Sequence, residues 1–407
     1  MYPKSEKTDP FRDPLTWFRA FLMGAFAVLV LCSQAGSALA EEVVPSPESS
    51  SDDTPAAAAV STAPVSPAAT FPQTPTLSVA AEVVPAWTKK VTLGGGFILW
   101  YYQPLELAGA KNNLSLFFAN LVVDAKSGIW GLHVEPRFRD TKLRGFFGGT
   151  SWAQEVYASV SLNRETTLKV GKEYSHFGLF WDNSFYGNVQ VYDGLKLDPD
   201  YGLSLEGGYA TAEQAGLRYW AQFFLVDGQT NVALQDRETF SISGARRRNQ
   251  AIVRLEPFAK TGGVELKLGL SGAYLQADLP TVGKKDVERG AVDISANVAA
   301  FSGWAEYLYQ HGQSVTDFPA TGTFSSHNHY GLAGVQYSVG KVTARYNVSF
   351  GRYADVSTTE WMHVPAIAVA LGDSLTVLGE YVFWKRYASP IDTLLDRSLN
   401  ITLAGHF

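Results

Sequence analysis

The segment RSLNITLAGHF, residues 397–407, decides the fold because polar and apolar side chains alternate along it. Leu399 and Ile401 are apolar, and Asn400 between them is polar. Successive side chains of a strand point to opposite faces, so this period of two predicts a strand with one apolar face and one wet face. The segment ends on an aromatic residue, Phe407, without a polar tail.

The same alternation recurs along most of the chain after the first eighty-odd residues. The segments VTARYNVSF (342–350), VELKLGLSGAY (264–274) and IWGLHVEPRF (129–138) each set apolar side chains against polar ones. Very short connections such as Gly340-Lys341 alternate with longer polar ones. Alternating segments of about ten residues, with short turns on one rim and long loops on the other, are typical of outer-membrane barrels. We therefore predict an all-β fold, a transmembrane antiparallel β-barrel over residues 87–407.

A water-soluble β-sandwich is the alternative fold, because it also has short alternating strands and glycine-rich turns. The recurring apolar face favours the membrane barrel, as do aromatic residues near segment ends, such as Trp100 and Trp361. Bacterial single-chain barrels use even strand numbers, so we expect sixteen strands within an open range of fourteen to eighteen. The expected strands lie near residues 91–103, 113–125, 129–139, 152–163, 166–173, 202–210, 215–227, 248–257, 263–276, 290–301, 303–312, 328–339, 341–352, 360–371, 374–386 and 397–407.

Glycine and small polar residues mark the expected connections. Two-residue turns are expected at Ser127-Gly128, Ser302-Gly303, Gly340-Lys341 and Gly372-Asp373. Long polar loops are expected at 227–249, which includes the arginines 246–248, at 277–290, and at 314–329, which includes His327 and His329.

The N-terminus predicts export. Basic residues from Lys4 to Arg19 precede an uncharged apolar run, Ala20–Leu31, and Ala38-Leu39-Ala40 follows. This order is typical of a secretory signal peptide, so residues 1–40 are expected to be removed. The single cysteine of the chain, Cys32, lies within it.

Residues 41–86 are expected to form a disordered periplasmic linker. They hold eight of the nineteen prolines, among alanine, serine and threonine. Such a composition buries too little apolar surface to fold. A partner-binding role for this arm stays open.

Charge and motifs exclude several classes of function. The chain has 33 basic and 39 acidic residues, and this balance does not suit nucleic-acid binding. Neither a G-x-S-x-G nor an H-E-x-x-H motif is present. We therefore expect no catalytic residues, no cofactor and no metal, and His311, His327 and His329 are interpreted as polar loop residues.

The segment VGKEYSHFGLFWDNSFYGNVQVYDG (170–194) is long, aromatic and mixed in charge. We expect its part 173–190 to fold into the barrel, because a loop this apolar does not favour water. A loop packed on the outer rim is the alternative. The residues expected to border the resulting constriction are Lys172, Glu173, His176, Asp182 and Asn183.

The polar faces of the expected strands carry both signs of charge. A mixed wall favours transverse fields and size exclusion over strong charge selection. Each charge also has the alternative role of pairing across strands. The expected lumen-facing charges are Glu135, Arg137, Arg139, Glu155, Lys169, Arg218, Arg254, Glu256, Arg345 and Glu380, with Glu265, Lys267, Asp293 and Glu306 on the same faces.

Two segments, LKVGKEYSHFG (168–178) and GLRYWAQFFLVDGQ (216–229), carry a resemblance to a known family. They resemble porins of the phosphate-selective O and P type and related trimeric outer-membrane porins. The resemblance implies a homotrimer of sixteen-stranded channels whose third loop folds inward, embedded in lipid and lipopolysaccharide. It also implies that Phe407 is part of an assembly signal recognised by the barrel assembly machinery. The chain lacks the lysine and arginine ladders of phosphate channels, so phosphate selectivity is not expected.

The sequence thus predicts a porin of the Gram-negative outer membrane that passes small hydrophilic solutes or ions by passive diffusion. A barrel with a filled lumen, acting as an adhesin or structural protein, remains an alternative. A barrel-embedded hydrolase is a further alternative, since such sites are built from scattered residues that spacing does not reveal.

Overall fold

A computed structural model describes residues 89–106, 111–140, 150–179, 199–211, 215–226, 246–279, 283–312, 327–354, 357–388 and 393–407. The expected signal peptide and linker lie outside these ranges. Two of the five predicted constriction residues, Asp182 and Asn183, also lie outside them. Within these ranges, no helix is long and apolar enough to cross a membrane.

Sixteen antiparallel strands close into one barrel in this part of the chain. Each strand pairs with the next one along the sequence, and the last pairs with the first. The strand count and the barrel fold predicted from the sequence are confirmed. The strands are β1 Lys89–Pro104, β2 Asn113–Ser127, β3 Trp130–Phe138, β4 Ser151–Ser161, β5 Thr166–Glu173, β6 Asp200–Thr211, β7 Ala215–Val226, β8 Arg246–Thr261, β9 Val264–Leu279, β10 Gly283–Val298, β11 Phe301–His311, β12 His327–Val339, β13 Val342–Tyr353, β14 Thr358–Ala370, β15 Leu375–Ala388 and β16 Thr393–His406.

The two faces of most strands differ in polarity in the sense that a membrane barrel requires. In β13, Arg345 and Asn347 are buried inside, whereas Tyr346 between them is exposed on the outer surface. Large apolar side chains cover that outer surface, for example Val335 and Ile367, each 57% exposed. A soluble sandwich would bury its apolar faces, so the observed polarity fits a barrel surrounded by lipid.

The barrel closes between β1 and β16. The two strands pair from Gly96 with His406 to Pro104 with Ser398. Beyond this ladder, the backbone N–H of Phe407 donates to the carbonyl of Gly95 (3.0 Å), and the N–H of Gly95 donates in return (3.2 Å). A Cβ on Gly95 would lie 2.7 Å from the Phe407 ring, so a glycine is required for the last aromatic ring to approach β1.

The two rims differ in the length of their connections. Short turns join β2 to β3, β8 to β9 and β12 to β13, where Gly340 has a φ of 56°. On the opposite rim, β5 and β6 are separated by residues 174–199, and β11 and β12 by residues 312–326. This asymmetry agrees with the sequence prediction and with outer-membrane barrels in general.

Several predicted connections are wrong in detail. Ser127 is the last residue of β2, so the first turn is at residues 128–129, and Gly372-Asp373 lies within the four-residue connection 371–374. Ser302-Gly303 lies inside β11, and the turn is at residues 299–300, where Ala299 adopts a φ of 50°. Most of the predicted loop 277–290 is strand, since β9 and β10 continue to Leu279 and from Gly283. Where strands extend past the apolar band, polar side chains lie on both faces and the alternating pattern disappears from the sequence. The strands continue there because backbone hydrogen bonding does not depend on the hydropathy of the side chains. For the same reason Arg246–Arg248, His327 and His329 lie in strands.

Candidate functional site: the barrel lumen

After β5 the chain leaves the barrel wall and enters the lumen. Residues Tyr174–Leu179, here called the inward segment, run over the inner faces of β7 to β11. Their backbone N–H groups donate to Gln222 Oε1 on β7 (2.7 Å), to Ser271 Oγ on β9 (3.0 Å) and to a carboxylate oxygen of Glu306 on β11. Side chains from three strands thus accept the backbone hydrogen bonds that a neighbouring strand would otherwise accept.

A glycine allows the segment to approach β11 closely. Gly178 has a φ of 64°, a conformation that residues with a Cβ rarely adopt. A Cβ at this position would also collide with the Glu306 carboxylate. The positive φ of the bend therefore requires glycine at position 178, and a larger residue would also displace the Glu306 side chain.

An apolar cluster inside the barrel holds the tip of the segment. Phe177 is 2% exposed and packs among buried apolar side chains of β7, β8 and β10–β15. Sequence reasoning missed this cluster. The signal that marks it is the loss of alternation in WMHVPAIAVA (361–370), where both faces of β14 are apolar. The other buried members are Phe224, Ile252, Ala291, Leu308, Tyr330, Leu332, Tyr353, Met362, Val364 and Val382.

Polar contacts hold the base of the segment on the opposite part of the wall. The Tyr174 hydroxyl accepts hydrogen bonds from Arg137 (3.0 Å) and Gln154 (2.7 Å), and its N–H donates to Glu155 (3.2 Å). Arg137 is also paired with Glu135 at 2.7 Å. Three of the predicted lumen-facing charges therefore meet at the point where the segment enters the lumen.

Two predicted constriction residues belong to the wall rather than to the segment. Glu173 is the last residue of β5 and lies 3.6 Å from Lys169, which is also paired with Glu206 at 2.8 Å. Lys172 comes three residues after Lys169, so the alternation of a strand places it on the other face from Lys169. Its Nζ donates a hydrogen bond to the carbonyl of Ala153 (2.8 Å).

His176 is the predicted constriction residue that lies within the segment. Its ring stacks on Trp220, with a centroid distance of 5.2 Å and an interplanar angle of 16°. Burial, and then the positive charges of Lys169 and Arg254, lower the pKa of His176 to about 3. The imidazole is therefore neutral at the pH at which a bacterial outer membrane works.

A second charged group lies on β7–β10. Arg254 bonds Asp293 at 2.6 Å, Glu256 at 2.9 Å and Ser271 at 3.0 Å. Arg218 approaches the same Glu256 at 3.1 Å. Two arginines and two carboxylates thus balance, which leaves little net charge on this part of the wall.

The remaining predicted residues lie at separate places. Arg345 on β13 and Glu380 on β15 are buried on the inner face, and the Arg139 guanidinium covers the Trp152 ring at 3.7 Å, just beyond β3. Phe407 is 77% exposed at the rim.

No protein-family model and no curated protein matches this chain. Solved structures do match it. The outer membrane channel DcaP of Acinetobacter baumannii is 13% identical, with a TM-score of 0.57 over 78% of this chain and 97% of its own. The anion-selective porin of Comamonas acidovorans is 11% identical, with a TM-score of 0.55 over 79% of this chain and 100% of its own.

A third solved structure is the trimer form of OmpT, an outer membrane protein of Vibrio cholerae. It is 12% identical, with a TM-score of 0.51 over 78% of this chain and 99% of its own. At this level of identity the comparisons concern the fold alone. The chain has the barrel fold of outer-membrane channels and porins.

Proposed function

We propose that this protein is a porin: a water-filled barrel through which small hydrophilic solutes or ions diffuse passively. The observation that carries the proposal is the inward segment, held inside the barrel by hydrogen bonds to side chains of β7, β9 and β11. A segment in this position narrows the bore, and residues 173–190 are proposed as the constriction. Solute size and local fields at that point then set the flux.

The proposed selectivity is mild. Arg137 faces Glu135, Lys169 faces Glu206, and Arg254 faces Asp293. Alternating charges of both signs give transverse fields, whereas strong selection needs rings of one sign. The proposal assigns no catalytic step and no cofactor to the barrel.

Location and assembly are part of the same proposal. The apolar outer face suits the bacterial outer membrane, with lipid and lipopolysaccharide around it after export through the periplasm. A homotrimer is proposed because one structure with a similar fold is a trimer form. Phe407, paired with Gly95 at the seam, is proposed as part of the signal for the barrel assembly machinery.

One observation favours a second candidate, a closed structural or adhesive barrel. The apolar cluster around Phe177 occupies lumen space that a wide porin would leave to water. A closed barrel of this kind would conduct no ions.

Single-channel recording in a planar bilayer under a salt gradient separates the two. The porin proposal predicts stable ohmic steps with a small reversal potential, because the wall charges balance. A barrel that is shown to be folded by its heat-modifiable migration in a gel, but that remains silent, would overturn the porin and support the closed barrel. Hydrolysis of soluble substrates by the same preparation would support an enzyme.

A further inference from the structure

Two glutamates face each other directly across two neighbouring strands. Glu135 of β3 and Glu155 of β4 are cross-strand partners, and both point into the barrel. Like charges in directly opposed positions destabilise a sheet. Glu135 is buried, so water gives it little screening. Arg137 supplies one positive charge to Glu135 (2.7 Å), and a bound cation would offset the negative charge that remains on the pair.

A histidine completes the group. His133 lies on the same face of β3, and its donor atom and those of Glu135 and Glu155 all lie within 4.8 Å of one another. Its ring is fixed by stacking on Tyr157, with centroids 4.8 Å apart and an interplanar angle of 12°. The side chain is therefore held in place before any ligand arrives.

The hydrogen bonding of His133 points to a metal ligand. Nδ1 lies 2.8 Å from Asp124 Oδ1, and the carboxylate holds the proton on that nitrogen. Nε2 then carries a lone pair, and it is buried with no hydrogen-bond partner among the described residues. A carboxylate that orients one ring nitrogen while the other binds the ion is the usual outer shell of a metal-bound histidine.

We propose that His133 Nε2, Glu135 and Glu155 bind one divalent transition-metal ion, with Zn²⁺ as the reference ion. Imidazole and carboxylate donors at about 2.0–2.2 Å suit such ions. Small rotations of the two glutamate side chains close the remaining gap. The ion neutralises the opposed carboxylates and satisfies the orphaned nitrogen.

The surroundings support the ligands from two sides. Arg137 and Asn120 both donate to Oε1 of Glu135, at 2.7 and 2.8 Å, and orient this carboxylate. The backbone N–H of Tyr174 donates to Oε1 of Glu155 from the lumen side. The site therefore lies between the wall and the base of the inward segment, with Glu135 buried and with His133 and Glu155 partly buried.

The test is titration of the folded, detergent-purified full-length barrel with Zn²⁺ by calorimetry, and with Co²⁺ by visible absorption. We expect one saturable site with Co²⁺ d–d bands and displacement of Co²⁺ by Zn²⁺. His133→Gln and Glu155→Gln should abolish the bands. Asp124→Asn, which removes only the orienting carboxylate, should weaken binding by about 10–100-fold.

The matched control is the double variant His311→Gln, His327→Gln. These two imidazoles lie side by side on β11 and β12, with 4.9 Å between their ring centroids, and offer a competing pair of donors. Binding that survives His133→Gln but disappears in this control would overturn the proposal, because the ion would then be adventitious. No saturable binding to folded barrel would overturn it as well, and would indicate that Glu135 and Glu155 share a proton. The measurement needs no membrane current, so its outcome is independent of the porin proposal.

Discussion

The two ends of the inward segment are held by different chemistry. At the base, Tyr174 is fixed by hydrogen bonds to Arg137, Gln154 and Glu155. At the tip, Phe177 is fixed by packing in the apolar cluster. Hydrogen bonds in a wet lumen compete with water and contribute about 1 kcal/mol each, whereas burying a large aromatic side chain contributes several times more. The tip should therefore hold the segment more strongly than the base.

A single reporter measures this difference. Ser175 lies between the base and the tip and is 1% exposed. In a Ser175→Cys background with Cys32→Ser, thiol labelling requires the segment to leave the wall. The labelling rate then gives the free energy of local opening, provided that reclosing is faster than labelling.

The largest effect is expected at the tip. Phe177→Ala removes the aromatic ring from the apolar cluster and should reduce the free energy of segment opening by about 3–5 kcal/mol. Labelling of the thiol introduced by Ser175→Cys should rise steeply, and single-channel conductance should rise with it. Phe383→Ala is the control, because Phe383 on β15 contacts His363 and is not part of the cluster. An unchanged labelling rate in Phe177→Ala would show that the base alone holds the segment.

The second effect concerns the polar wall beside the tip. Arg254→Gln leaves Asp293 and Glu256 without their shared cation. The barrel should lose about 3 kcal/mol of folding stability, which is the low end for a buried ion pair because the lumen is hydrated. The lumen also becomes more negative, so the reversal potential should shift toward cation preference. Arg164→Gln makes the same charge change at the exposed β4–β5 connection and should shift it little. Equal shifts in both variants would mean that the Arg254 group does not line the ion path.

Much of the fold was readable from the sequence because a barrel wall obeys one rule. Most strands have one lipid face and one polar face, so a period of two appears locally in segments such as VTARYNVSF, without any knowledge of distant contacts. The rule fails at Lys284 and Lys285, where polar side chains cover both faces of a strand that extends past the apolar band. There only backbone pairing shows that the strand continues.

The site was readable only in part. The composition of 170–194 predicted an inward loop, and the described part of that loop does enter the lumen. The apolar cluster was not found, because its members lie on eight strands spread from β7 to β15. The group of His133, Glu135 and Glu155 depends on the register of β3 against β4, which a bulge between Glu135 and Pro136 shifts. Register of this kind cannot be derived from the periodicity of single segments.

The third effect depends on pH and acts at the middle of the segment. The pKa of His176 is about 3 in place, because burial and the charges of Lys169 and Arg254 oppose protonation, and it returns to about 6.5 when the segment opens. Below pH 6.5 the open state binds a proton that the closed state does not, so acid favours opening, by about 2.5 kcal/mol at pH 4.5. Labelling of the Ser175→Cys variant should therefore rise between pH 6.5 and 4.5 when a thiol reagent of pH-independent reactivity is used. Adding His176→Gln should remove most of this rise, and an equal rise in its presence would assign the effect to the neighbouring carboxylates.

The smallest effect is expected at the base. Tyr174→Phe removes the hydroxyl that accepts hydrogen bonds from Arg137 and Gln154, but keeps the ring and the backbone bond to Glu155. Lumen water can replace the lost acceptor, so segment opening should become easier by only about 1–2 kcal/mol. Tyr346→Phe is the matched control, because it removes a tyrosine hydroxyl that bonds His363 on the outer surface of the barrel. If Tyr174→Phe opened the segment more than Phe177→Ala, the hydrogen bonds at the base would be shielded from water, and the ranking of the two ends would be reversed.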